Sequence, residues 1–352
     1  MTTSSNTPPH DVGTAAATLH MPRRVVGGMS MAIGSLPHLS TSDAVELAMR
    51  ATDIVTMPTL PKRSPAEGMI AQALVGLAGV TVGQYGAIAV DPAGINTHSP
   101  IRTDLDSDAF AGFRGLLRAA QGHNGPVKWQ FVGPIPLGLA LMRAGVPDHT
   151  AFDVAVRAVR AHVQSLLEAV AEALPNSSQI VVIDEPEFGS VREPGFPIAP
   201  DLAVDLLSGA LAVIEPVAIA GVHCCGDVDL ASLMSAGPAL LSLPADQRLV
   251  DEAGYVQRFL DTGGWIAWGA VATDGPVPAS AERPWKRLCD LWCQLVQRGC
   301  NPAMLRQQSL VTPACGLGLH SASVAERVLR INAEISSRVR DQAAATRFAF
   351  GA

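Results

Sequence analysis

The chain has 352 residues, with 48% hydrophobic and 16% charged side chains, a formal charge of −7 and an isoelectric point near 5.7. That is enough chain for one large α/β domain with a substantial core. It carries no run of Lys and Arg, and aromatics make up only 5%, which argues against a nucleic-acid partner. No stretch approaches the roughly 20 uninterrupted apolar residues needed to cross a bilayer.

Residues 1–24, MTTSSNTPPHDVGTAAATLHMPRR, are rich in Ser, Thr, Pro and Gly and lack a basic start followed by an apolar segment. They read as a flexible tail and not as a secretory signal, which places the ordered domain at 25–352. The expected compartment is the cytoplasm, where the six cysteines stay reduced and suggest metal or catalysis over disulfides.

Short apolar runs then recur at regular intervals. They are MAIGSLP (31–37), DIVTMPTLP (53–61), VKWQFVGP (127–134), QIVVIDEP (179–186), VAIAGVHCCG (217–226), ALLSLPA (239–245), WIAWGAVATD (265–274) and SLVTPACG (309–316). Helix-like stretches alternate with them, among them Ser42–Arg50, Ala151–Ala173, Leu202–Ile214, Ser280–Arg298 and Ser321 to about Phe348. Continuous apolar strands alternating with helices imply a parallel sheet covered on both faces, and eight such units predict a (β/α)8 barrel. The irregular stretch 62–107 reads as an insertion after the second strand, or a hairpin over the barrel mouth. A doubly wound open sheet is the rival fold, but no G-x-G-x-x-G opens a helix here.

In a barrel the C-terminal strand ends converge on one mouth. Ser35, Pro37 and His38 close the first predicted strand, Lys62 follows the second, and Asp184 and Glu185 close the fourth. His223 and Cys225 close the fifth, Asp274 the seventh and Cys315 the eighth. Strand side chains alternate faces, so His223 and Cys225 share one face while Cys224 takes the other. One imidazole and two thiolates suit tetrahedral Zn²⁺ and leave a fourth position for substrate. Cys289 and Cys293, four apart among Leu288, Leu291, Trp292 and Leu295, read as core or interface residues.

The stretches IGSLPH, FVGPIPL, IDEPEFG, GVHCCGDVD and VTPACGLGLHSASVAERVLR, in this order and spacing, resemble the catalytic barrel of cobalamin-independent methionine synthases. They are also similar to the related corrinoid-dependent thiol methyltransferases and uroporphyrinogen decarboxylases. The resemblance spans residues 25 to 345. It implies a zinc that activates a thiol for methylation, with His223, Cys225 and Cys315 at the zinc-ligand positions. It also implies that Asp184 holds the amino group of homocysteine, that Ser35 meets its carboxylate, and that Glu67 reaches the amine as well.

The chain departs from the pattern in several places. Pro244 stands where those synthases have a fourth ligand, Glu, with Asp246 and Asp227 nearby as substitutes. Asp274 stands where they have a catalytic His, and it would relay a proton. The second, N-terminal barrel of those synthases has no counterpart, and GPIPLGLAL is aliphatic where they approach the folate. The resemblance therefore implies a small-molecule thiol as acceptor, with either a methyl-corrinoid on a separate protein or methyltetrahydrofolate as donor. The alternatives are a lyase of the decarboxylase branch with a vestigial metal site, or a non-catalytic binding member of the superfamily.

Overall fold

Seven parallel strands form one curled sheet in the computed structural model, which describes residues 24–83, 87–91, 94–95, 98–227 and 229–350. The tail expected over residues 1–24 lies outside the described residues except for Arg24. In chain order the elements begin with α1 (Thr41–Arg50) and the short β1 (Val55–Thr56). An insertion follows with α2 (Met69–Ala73), β2 (Val80–Val82) and β3 (Ile88–Val90), and then come α3 (Ala111–Ala119) and β4 (Val127–Val132). The chain continues through α4 (Pro134–Arg143), α5 (Asp148–Ala173), β5 (Gln179–Asp184), α6 (Pro200–Leu211), β6 (Ile219–His223), α7 (Leu230–Ser235) and β7 (Leu240–Pro244). It closes with α8 (Ala253–Asp261), β8 (Trp265–Val271), α9 (Glu282–Gln297), α10 (Pro302–Gln307), β9 (Ser309–Pro313) and α11 (Ala322–Phe350). The main sheet runs β1-β4-β5-β6-β7-β8-β9, so seven of the eight predicted strands take the predicted order.

The curl has two cores, set by the alternation of each strand. Ile180 and Val182 of β5 point inwards and join Val25, Met31, Ile54, Leu240, Ala267 and Leu310 in a small cluster that fills the interior. Val181 and Ile183 point outwards into the larger cluster shared with the helices, together with Cys224, Val163 of α5 and Ile335 of α11. Side chains buried on both faces are why these strands read as unbroken apolar runs.

The expectation of a closed eight-stranded barrel is corrected. Residues 28–36 lie between the two sheet edges, but they form no ladder with them, being joined by isolated parallel bridges, Ser30 to Val311 and Ser35 to Thr59, and by separate backbone bonds from Gly28 N to Ser309 O (2.7 Å) and from Ile54 N to Ser30 O (2.9 Å). Side chains take the N–H groups that a ladder would have used. Ser30 N donates to Asp53 Oδ2 (2.8 Å) and Ala32 N to Thr56 Oγ1 (3.1 Å). From outside, Asn332 of α11 donates to the carbonyls of Met31 and Val311, and Ser336 donates to that of Gly28. β1 is cut to two residues, since Pro58 and Pro61 offer no N–H to a neighbour.

The insertion after β1 contains the antiparallel hairpin β2–β3, with Val80 opposite Val90 and Val82 opposite Ile88. His162 of α5 anchors it, bonded through Nδ1 to Thr103 Oγ1 (2.8 Å) and through Nε2 to Ala73 O (3.1 Å). Burial pushes His162 down to about 4. Its neutral imidazole thus ties α2 and the end of the insertion to the barrel wall.

Candidate metal centre and cavity

β5, β6 and β7 run in register, so Asp184, His223 and Ser242 stand side by side near the C-terminal strand ends. The His223 ring is fixed by its neighbour, with Nδ1 3.1 Å from Ser242 O and 3.0 Å from Ser242 Oγ. A backbone carbonyl only accepts, so Nδ1 carries the proton and Nε2 keeps its lone pair. Nε2 is buried and has no partner. Two residues on, Cys225 shares the inner face, whereas Cys224 is fully buried in the outer core, as the period-two alternation predicts.

Cys315 enters from the far side of the curl. The turn that carries it is held by Ala314 N to Val271 O (2.9 Å), Leu317 N to Ser35 O (2.9 Å) and Gly318 N to Ser35 Oγ (3.3 Å). A Cβ at Gly316 would fall 2.1 Å from Ser35 Oγ, so a larger residue there would push the Ser35 hydroxyl off Gly318 N. Lys62 fastens the same turn by donating to the carbonyls of Leu319 (3.2 Å) and His320 (2.5 Å).

The ligating atoms of His223, Cys225 and Cys315 all lie within 4.8 Å of one another. Tetrahedral zinc with Zn–S near 2.3 Å needs sulfurs about 3.5–4 Å apart, so a small contraction seats the ion. The two thiols share one negative charge. The hydrogen bond from Cys225, with His223 nearby, pulls Cys315 down, while donating to Cys315, together with burial, pushes Cys225 up. A lone-pair nitrogen without a partner beside a thiol–thiolate pair is the donor set that a soft divalent cation completes.

These residues open into a cavity of about 430 Å³ that also borders Ser35, Glu67, Gln72, Gln130 and Asp184, with Met69, Val132 and Leu319 among its apolar walls. Asp184 is buried with Oδ1 unpartnered, and burial pushes it up to about 6 against the opposing pull of His223 and Lys128. Glu67 is buried too, but its acceptors are spent. It pairs with Arg63 (2.7 Å) and accepts from the backbone N of Leu60 and of Gly112 (both 3.2 Å).

Other strand-end residues are placed elsewhere. Glu185 turns away from the cavity and accepts from Ile135 N (3.2 Å), capping α4, and burial drives its pKa well up. Asp274 is exposed and does not border the cavity. Pro244 ends β7, while Asp246 caps the following turn and pairs with Arg248, which also meets Asp227. On α9, Cys289 is half-buried and Cys293 exposed, while Cys300 donates to Ala253 O (3.3 Å). Among the described residues no second cluster of metal-ligating side chains forms.

Three polar residues escaped the sequence reading, namely Lys128 behind the cavity wall, which bonds Gln130, and Gln130 and Gln72 on it. The first two had a visible signature, since two polar residues spaced by two within the apolar run VKWQFV must share a face.

No family model matches the chain, and no curated protein matches it. Among solved structures it is similar to a Listeria monocytogenes protein provisionally assigned as a vitamin-B12 independent methionine synthase. The TM-score is 0.57 at 14% identity, over 85% of each chain. Likeness at that identity shows a distant relationship of fold. No helix among the described residues is long and apolar enough to cross a membrane.

Proposed function

We propose that this chain is a zinc-dependent methyltransferase whose acceptor is a small-molecule thiol, homocysteine being the acceptor that its polar groups suit. The carrying observation is the buried, partnerless Nε2 of His223 together with the Cys225 and Cys315 sulfurs, facing a cavity that Asp184 also borders. His223, Cys225 and Cys315 would hold the ion, which when bound supplies the Lewis acidity that favours loss of a thiol proton near neutral pH. The fold likeness to a provisionally assigned methionine synthase agrees with this reading.

The chain's own groups orient the acceptor. Ser242 keeps His223 in the tautomer that presents Nε2. Asp184, unpartnered at Oδ1, offers a carboxylate to the ammonium group of an amino-acid thiol, and that cation in turn favours the ionised form. Ser35 Oγ already accepts from Gly318 N, so its own hydrogen is available to the substrate carboxylate. Apolar walls exclude water around the sulfur, which strengthens each of these contacts. Asp274 takes no step here, because it is exposed outside the cavity. The donor is a methyl-corrinoid presented by a partner protein or methyltetrahydrofolate, and thiolate ligands suit the reducing cytoplasm.

Zinc content of the purified chain beside its Cys225→Ser variant, together with methyl transfer to homocysteine from methylcobalamin and from methyltetrahydrofolate, tests the reading. Near-stoichiometric zinc lost in the variant and transfer from either donor are expected. A metal-free chain that turns over neither donor points to the lyase or binding-protein alternative.

A further inference from the structure

The wall of the cavity formed by β1 and β4 carries chemistry that the metal ligands do not use. Lys128, in the middle of β4, is only 1% exposed. A cation in a barrel interior is costly unless its donors are engaged. Its Nζ donates to Ile33 O and to Gln130 Oε1, the latter at 2.9 Å. An ammonium group has no acceptor, so this contact fixes the Gln130 carboxamide with its oxygen to Lys128 and its NH₂ turned away. That NH₂ has no protein acceptor among the described residues, and Gln130 borders the cavity.

Gln72, on α2, is the counterpart. Its Nε2 donates to Ala109 O (2.7 Å), which only accepts, and so its Oε1 is the free end. Gln72 and Gln130 also border a second recess of about 20 Å³ between Met57, Phe110 and Trp129. That is room for one water-sized group. The charged groups near this wall are already paired. Glu67 is held by Arg63 and two backbone N–H groups, Arg63 also holds Asp108, and Lys62 is spent on two carbonyls. What stays open is one neutral donor and one neutral acceptor.

We propose that Gln130 and Gln72 form an amide-recognition edge, and that a ligand lying along this wall of the cavity, beside the thiol acceptor, carries a primary carboxamide or lactam. Its carbonyl accepts from Gln130 Nε2 and its N–H donates to Gln72 Oε1, while its apolar body lies against Met69, Val132 and Leu319. The edge goes beyond the methyl-transfer reading and does not depend on the metal.

The test measures binding of three probes with one ring and different ends, benzamide, acetophenone and benzoate, to the purified chain by calorimetry. Benzamide is expected to bind about tenfold more tightly than the other two, since each of them lacks the N–H. Gln130→Glu keeps an oxygen on Lys128 but presents no donor, and is expected to weaken benzamide about tenfold. Equal affinities, tighter binding of benzoate, no benzamide binding at millimolar concentration, or a folded Gln130→Glu chain that binds benzamide unchanged would each overturn the proposal. Should Gln130→Glu not fold, the wild-type ranking decides alone. A chain that holds zinc and methylates a thiol but fails this ranking refutes the amide edge only. One that ranks the probes as expected but holds no zinc refutes the methyltransferase reading only.

Discussion

Two arcs of the barrel rim have similar inventories of charged and polar residues but treat them in opposite ways. Along β4, β5 and β6, and in the turn after β9, the polar groups are buried or half-buried at the cavity and several keep an unused valence, as at the buried Asp184 Oδ1 and His223 Nε2 and the half-buried Gln130 amide. Along β7 and β8 the strand ends are just as polar in sequence, yet Pro244 ends β7 without a polar side chain, Asp246 caps its own turn, Arg248 neutralises Asp246 and Asp227, and Asp274 faces solvent. The difference teaches that chemistry is marked by buried groups left incomplete. Charged residues at strand ends are not sufficient. A buried unpaired polar atom costs about 1–3 kcal/mol unless something binds it.

Substitutions in the two arcs should separate them. The largest effect is expected for Cys315→Ser, which removes one of three protein ligands. Zinc affinity, read by competition with a chromophoric chelator, should fall about a thousandfold, and an unchanged affinity would remove Cys315 from the site.

Next comes a stability effect on the wall behind β4. His162 is held neutral, with its pKa down to about 4 from 6.5. As pH falls below 6.5 the unfolded chain binds a proton that the folded His162 refuses, so the fold loses stability down to pH 4 and levels off below it. In denaturant titrations, the advantage of wild type over His162→Gln should shrink by about 3 kcal/mol between pH 7 and pH 4. A pH-independent difference would mean that the histidine is not held neutral.

Asp184→Asn should lower kcat/KM for homocysteine about a hundredfold through loss of a buried charge facing an ammonium group, with melting temperature maintained. The smallest effects belong to the other arc. Asp246→Ala, which loses a turn cap, should cost about 1 kcal/mol, Asp274→Ala less than about 0.5 kcal/mol, and both should leave zinc content and turnover within twofold. A large loss of turnover in Asp274→Ala would break the contrast between the arcs.

Much of this contrast was legible before the coordinates, for identifiable reasons. Parallel strands covered on both faces leave continuous apolar runs, so β4 to β9 stood out. The period-two alternation alone set His223 and Cys225 on the inner face and Cys224 on the outer. The segment 28–36 misled because the side chains of Asp53 and Thr56 take two of its N–H groups and leave scattered backbone bonds in place of a ladder, and no periodicity reports that. Glu185 closes the same predicted strand as Asp184, and only the position of α4 shows that it serves a helix end. Lys128 and Gln130 sat inside an apolar run and passed as strand filler, although an internal lysine in a parallel strand was itself a warning.

The seam at Ser30 and Ser35 also has a consequence in time. A chain synthesised from its N-terminus exposes residues 28–36 early, but Val311, to which Ser30 bridges, follows only after the strands between them. Ser35 clasps Leu317 and Gly318, beside Cys315, only after that. The pocket is therefore completed last. Without β9 and the turn that follows it the site would lack Cys315 and the wall that Ser35 clasps.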